Sequence, residues 1–378
     1  MARKTVKSKR RNNEGSIYFE ESRKKWVASI TAPDGSRPKD RFDKWEDADA
    51  WLTKIKNSFL ENTYVPPSDL TLGQWILQWL TVYIKPKIKR EKTFLRYKQT
   101  AAHITPVAMI RLQDVTAPVV QKFLNDLPED MSSSSKNKIY KMISAAFKKA
   151  SALRMIRYNP IDAVEAPQVT YKDIEIFTWF EMRKIIGKLS LQKTPKALLR
   201  HYPLVLFAAT TGCRLGEVLG LRWCDLNLNT GTAYITNSLQ DVNGILTDCP
   251  PKTTAGKRTL ALLDEVVKEL KKLQASRKLL AIDGSDYVFQ SSKGTPFFPS
   301  NFNRIWHRIL KYCEVDYKNF HVLRHTHATE MLAAGVPLLE VSRRLGHSKA
   351  SHTLNLYGHA IPGYNNEMAE KLKLVYAI

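Results

Sequence analysis

The side chains fit for chemistry crowd into one stretch, FHVLRHTHATEMLAAGVPLLEVSRRLGHSKASHTLNLYGH, running from Phe320 to His359. Of the nine histidines in the chain, it holds His321, His325, His327, His347, His352 and His359, together with Arg324 and Tyr357. A metal site is the first reading to weigh. His321 and His325 stand four apart, as in H-E-x-x-H, but Val322 occupies the position of the glutamate, so neither a metal nor a cofactor is expected. Taken singly, His325, His327, His352 and His359 serve equally well as helix caps or packing groups. The set His321, Arg324, His347 and Tyr357 suits a phosphodiester. A guanidinium offers paired donors to nonbridging oxygens and follows their charge into a pentacoordinate transition state. A phenol can attack phosphorus covalently and split one hard step into two.

The apolar pattern supplies the frame. Leu323, Ala328, Met331 and Leu332 recur at helical spacing before Gly335. Val336 to Leu345 makes a second helix ending at Gly346, and Ser351 to Leu356 a third that delivers Tyr357. Such chemistry needs a second arginine and a proton donor for the leaving oxygen. Upstream, TTGCRLGEVLGLRWCDL places Arg214 after an apolar run, with Glu217 one turn on. PPKTTAGKRTL puts Lys252 in a turn between two strand-like runs, Thr232 to Leu239 and Arg258 to Leu262.

With these blocks in order, the chain resembles the tyrosine recombinases of the phage integrase family. The G-x-R-x-x-E-x-x-x-L-x-W block, the P-K-T-x-x-G-x-R hairpin, H-x-L-R-H, and L-G-H-S with a tyrosine ten residues after its histidine all match. The resemblance implies that Arg214 and Arg324 clamp the phosphate and that Tyr357 joins DNA through a 3'-phosphotyrosyl bond. It implies Lys252 as general acid for the departing 5' oxygen and His321 as the group assisting proton transfer around the tyrosine. His347 would hydrogen-bond the scissile phosphate, and Glu217 would brace the site. The implied activity is integration and excision of a mobile element, a phage or a conjugative transposon. A resolving or DNA-relaxing enzyme with the same chemistry, or a non-catalytic DNA-binding regulator, are the alternatives.

Composition points the same way. Lys and Arg number 59 against 36 Asp and Glu, a net charge of +23 that calls for a polyanion. No run approaches the roughly 18 apolar residues of a membrane-spanning helix, and no secretory segment follows the basic start. The cysteines at 213, 224, 249 and 313 form no C-x-x-C pair and are expected to be buried thiols in a reducing compartment. A soluble protein of the bacterial host cytoplasm, associated with the nucleoid, is expected.

The fold class expected is multidomain α+β. Residues 1–62 comprise a basic arm and a small domain of three strands plus a helix, with Asp34-Gly35 as a hairpin turn. Its core is expected to come mostly from aromatics such as Trp26, Phe42, Trp45 and Trp51. It resembles the AP2-like, arm-type DNA-binding domain of integrases, with Lys24, Lys25, Arg37, Lys39 and Arg41 as contacts. Residues 63–70 form a linker and 71–166 a helical bundle, resembling the SAM-like core-binding domain. Lys85, Lys87, Lys89, Arg90 and Lys92, with Lys136, Lys138 and Lys141, are its candidate phosphate contacts. Trp75 and Trp79 read as core rather than as stacking platforms. Residues 167–173 are a second linker, and 174–378 the mainly α catalytic domain of the DNA breaking-rejoining type. Its tail carries Met368, Leu372, Val375 and Tyr376 on a helical stripe, which the resemblance would dock on a neighbouring protomer. The partners implied are double-stranded DNA at core-type and arm-type sites and a homotetramer on that DNA. A directionality factor and a host DNA-bending protein are further candidates.

Overall fold

The computed structural model describes residues 14–33, 35–61, 63–170, 173–251, 254–279 and 286–358. The chain packs as two units, Met1–Tyr171 and Lys172–Ile378. Lys252, the arm up to Asn13 and the C-terminal tail stripe lie outside the described residues.

The first unit opens with an antiparallel sheet of order β1 (Ser16–Glu20), β2 (Lys25–Ser29) and β3 (Lys39–Phe42), packed on α1 (Trp45–Leu60). Its register sets Tyr18, Val27 and Arg41 side by side. Alternate residues share a face, so Lys25 and Lys39 join Arg41 there. The core corrects the aromatic expectation: it is built from Val27, Ala28, Ile30, Ala48 and Leu52, while Trp45 is 43% exposed. Trp26, Phe42 and Trp51 are half-buried, and Phe42 meets Trp51 at 6.0 Å. Ala28 on β2 and Ala48 on α1 are both fully buried, so small side chains fill part of this core.

The helical part follows with α2 (Leu72–Trp79), α3 (Glu91–Ala102), α4 (Ala117–Asn125) and α5 (Ser133–Ala152). Ser132 Oγ accepts from the Ser135 N–H at 3.2 Å, so the serine run does cap α5. The stripe Ile139, Met142, Ile143, Ala146, Phe147 and Ala150 is buried. Trp75 and Trp79 are core, and Trp75 Nε1 donates to the Ala146 carbonyl at 3.1 Å.

The second unit is mainly helical. It runs α6 (Trp179–Ser190), α7 (Lys196–Leu199), α8 (Tyr202–Thr211), α9 (Leu215–Leu219), β4 (Leu226–Asn227), β5 (Thr232–Ile235), β6 (Ser238–Val242), β7 (Ile245–Cys249) and β8 (Arg258–Ala261). Then come α10 (Asp264–Leu279), α11 (Pro299–Cys313), α12 (Val322–Ala333), α13 (Leu338–Leu345) and α14 (Ala350–Tyr357). The sequence YPLVLFAATT is apolar nearly all round, and α8 is accordingly the buried axle, with Phe177, Phe302, Trp306 and Phe320 in the same core. The single strand expected over Thr232 to Leu239 is two: β5 pairs with β8, and β6 forms a hairpin with β7. Side chains hold the break, Thr236 Oγ1 donating to Asp225 at 2.9 Å and Asn237 Nδ2 to Asp248 at 2.6 Å. Among the described residues no helix is long and apolar enough to cross a membrane.

Candidate active site

Two left-handed glycines place the site. Gly212 (φ 65°) ends α8 and turns the chain toward Arg214, while Gly346 (φ 69°) ends α13 and turns it toward His347. A Cβ at Gly212 would come within 2.6 Å of His327 Cδ2.

The carbonyls left unpaired at these helix ends carry the negative end of each helix dipole, and buried arginines take them. Arg324, 2% exposed, donates from Nη1 to Gly212 O at 2.9 Å and from Nη2 to Leu345 O at 2.8 Å. Arg258 donates from Nε to Arg344 O at 2.6 Å and from Nη2 to Glu217 Oε2 at 2.8 Å. Glu217, 4% exposed, also accepts from Arg214 Nη1 at 2.8 Å and from the Arg214 N–H at 3.0 Å. Burial pushes the Glu217 carboxyl up, but the charges and donors of Arg258 and Arg214 outweigh it and hold the group below its usual range. One carboxylate thus braces two cations. Arg258 is sealed in, while the Arg214 side chain keeps 41% of its surface open to an incoming anion. Burial, then the charge of Arg214, lowers the Arg324 pKa to about 10, so it remains a cation at neutral pH.

His347 shares Arg324: its Nε2 lies 2.8 Å from Nη2 and its Nδ1 lies 2.7 Å from Thr353 Oγ1. A guanidinium can only donate, so Nε2 is the acceptor and Nδ1 carries the proton. Burial and Arg324 push the His347 pKa down to about 3 and keep the ring neutral. His321 stands just before α12 with its residue surface exposed, although enclosure by protein atoms and the nearness of His325, Arg324 and Arg214 lower its pKa. Its ring meets His325 edge-on at 4.8 Å between centroids. Tyr357, the last residue of α14 rather than the residue after it, is 1% exposed and packs with Ala328, Leu332, Val341 and Leu345. Its hydroxyl lies 2.6 Å from His325 Nδ1.

Arg214, Glu217, His321, Arg324, His347 and Tyr357 therefore gather in one site. Sequence spacing alone assigns no role to Arg258 or His325. The strand-like RTLAL after a Pro/Gly turn was the available signal for an arginine held among apolar neighbours. Cys213 is buried as expected and accepts from Arg258 Nη2 at 3.5 Å, and burial pushes its thiol pKa up. Cys224 corrects the cysteine expectation, being exposed.

The candidate DNA contacts are more loosely held. Lys25 pairs with Asp43 and Arg41 with Glu20, both at 2.8 Å, Lys24 sits in the β1–β2 turn with φ 50°, and Arg37 and Lys39 are exposed. Lys85, Lys87, Lys89 and Lys92 are exposed and Arg90 half-buried, with Lys85 Nζ 5.5 Å from the Phe94 ring centroid. Lys138 and Lys141 line a groove of about 610 Å³ between α3 and α5, together with Arg96, while Lys136 donates to Leu127 O at 3.1 Å.

Residues 177–362 match the sequence profile of the phage integrase family. The chain belongs to that family. It is a site-specific tyrosine recombinase, an enzyme of DNA strand exchange. A XerC-like tyrosine recombinase of Caldanaerobacter subterraneus subsp. tengcongensis is 27% identical over 355 residues, covering 86% of this chain and 89% of its own. The integrase of Staphylococcus phage L54a is 24% identical over 352 residues, covering 85% and 98%. Among solved structures, the Tn1549 transposon integrase in complex with a circular intermediate DNA shares the fold with a TM-score of 0.70 at 19% identity, covering 81% of this chain and 99% of its own. A lambda integrase dimer bound to a COC' core site gives 0.57 at 19% identity, covering 92% and 96%.

Proposed function

We propose that this recombinase cuts each strand by attack of Tyr357 on the scissile phosphate, forming a 3'-phosphotyrosyl link and freeing a 5' hydroxyl. The same step in reverse, with a 5' hydroxyl from the partner duplex, rejoins the strand. Arg214 and Arg324 clamp the nonbridging oxygens and follow their charge into the transition state. Lys252 protonates the leaving oxygen. His321 assists proton movement around the tyrosine, His347 hydrogen-bonds the phosphate when Arg324 turns toward it, and Glu217 braces the arginines. The observation that carries this reading is the gathering of two arginines, two imidazoles and a phenol from four separated segments beside one buried carboxylate.

The substrate is double-stranded DNA. Residues 71–166 and 174–378 bind the core-type site, and residues 1–62 bind an arm-type site through the sheet face bearing Lys25, Lys39 and Arg41. Lambda integrase forms a tetramer bound to a Holliday junction, and we extend that assembly to this chain. The product is an integrated or excised mobile element, made in the host cytoplasm with a directionality factor and a host DNA-bending protein as candidate helpers.

Covalent capture tests the reading. Wild-type and Tyr357→Phe proteins are incubated with sheared DNA from the source cell and its mobile elements, denatured, and the linked fragments sequenced. A discrete site joined through its 3' phosphate, trapped by wild type alone, is the expected result. Capture by the phenylalanine variant sinks the nucleophile assignment, and scattered capture replaces integration with DNA relaxation.

A further inference from the structure

His325 stands between two groups already given roles. Its Nδ1 lies 2.6 Å from the Tyr357 hydroxyl, and its ring abuts that of His321 at 4.8 Å. His321, just before α12, and His325, in its first turn, stand four residues apart and meet edge-on, and it is His325 that touches the tyrosine. We propose that His325 is itself a catalytic residue, receiving the Tyr357 proton on Nδ1 during attack, so that His321 acts on the tyrosine through it. This deepens the reading of Tyr357 as nucleophile and rests on it.

The surroundings favour the transfer. Burial and the charge of Arg324 favour the neutral form of His325, and the proposed step uses its Nε2–H tautomer, which leaves the Nδ1 lone pair to accept from the phenol. Burial raises the Tyr357 pKa against the opposite pull of Arg324 and Arg214, so the phenol arrives protonated and must lose its proton to attack. A free phenolate in a seat of Ala328, Leu332, Val341 and Leu345 would carry the cost of a buried charge, which ties the transfer to the moment of attack. The O–H bond breaks and the proton makes imidazolium at His325. The phenol oxygen forms the new P–O bond while the P–O5' bond breaks, and the leaving oxygen takes its proton from the general acid. Religation returns the proton from Nδ1.

The charged and titratable groups near the pair are Arg324 on its own element, His321 just before it and Arg214 before α9. Helix α8 carries no charged side chain. On α13, Arg344 is turned to His327 at 3.2 Å, and Glu340 and Arg343 pair with each other at 2.6 Å.

The test is single-turnover cleavage by the full chain of a nicked duplex cut from the captured DNA, with DNA affinity and unfolding midpoint measured alongside. His325→Asn keeps an amide near Nδ1 that can bond the phenol but cannot take its proton, while His325→Ala removes both functions. Both are expected to lose about 10²- to 10⁴-fold in rate at neutral pH. The loss should shrink as pH rises toward the phenol's own pKa, with affinity unchanged. Wild-type rate in the asparagine variant overturns proton acceptance, and a faster alanine variant makes the contact a restraint on the tyrosine. An unaltered rate removes His325 from the mechanism. Cleavage by Tyr357→Phe in the same assay would place the failure in the nucleophile assignment instead.

Discussion

Arg258 and Arg324 in the second unit bond through their guanidinium nitrogens to helix-end carbonyls, Glu217 or His347, with 6% of the Arg258 side chain and 2% of Arg324 exposed. Lys39 and Arg41 in the first unit are exposed side chains, and the Arg41 partner Glu20 is itself only half-buried. The first arrangement stands on fixed acceptors that water cannot replace, since an uncompensated buried charge is costly. The second needs only strand alternation, and solvent and salt share its charge. A buried cation is therefore specific to its geometry, whereas a surface cation adds to a sum.

The strongest way to break this comparison is Arg258→Met, which strips Glu217 of its buried partner. It should cost about 3–5 kcal/mol of stability, read from the denaturant midpoint, because half a buried pair remains. A loss below about 1 kcal/mol would mean that the brace relaxes like a surface pair.

Acid sharpens the contrast next. Burial lowers His201 and His327 from 6.5 to about 4 and His347 to about 3. The unfolded chain takes up protons near pH 6.5 that the folded chain refuses, so this stability is full above 6.5 and lost as pH falls toward 4. His201, 5% exposed between Phe297 and Phe302, accounts for about 3 kcal/mol of that loss. Hydrogen exchange on the full chain should show residues 173–358 opening first as pH drops. Residues 14–170 opening first would reverse the assignment.

The smallest effect belongs to the surface set. Lys39→Ala and Arg41→Ala should each lower the slope of log affinity against log salt by about one, equally for any DNA sequence, with the unfolding midpoint unchanged. A sequence-dependent loss would make the residue a base reader.

Local signals were the legible ones. Arg214 and Glu217 are three residues apart, and their capping contact follows from that interval alone. The same holds for Ser132 at the start of α5, for the stripe along that helix and for Gly346 at the end of α13. The break at Thr236 was hidden because its partners, Asp225 and Asp248, lie on either side of it in other elements. The core of the first domain was not legible because composition cannot tell that Ala28 and Ala48 are the fully buried residues while Trp45 lies at the surface.

By itself the sequence determined which groups are available and in what order, because residue type and short spacings are local and survive in any fold. It determined the chemistry of the site to that extent: two arginines, a carboxylate, imidazoles and a phenol suited to a phosphodiester. Only the tertiary structure decided which imidazole touches the phenol and which arginine is sealed in. His325 and Tyr357 are 32 residues apart, and Arg258 and Glu217 41 apart. Contacts of that range are set by how helices pack around α8, and no interval along the chain encodes them.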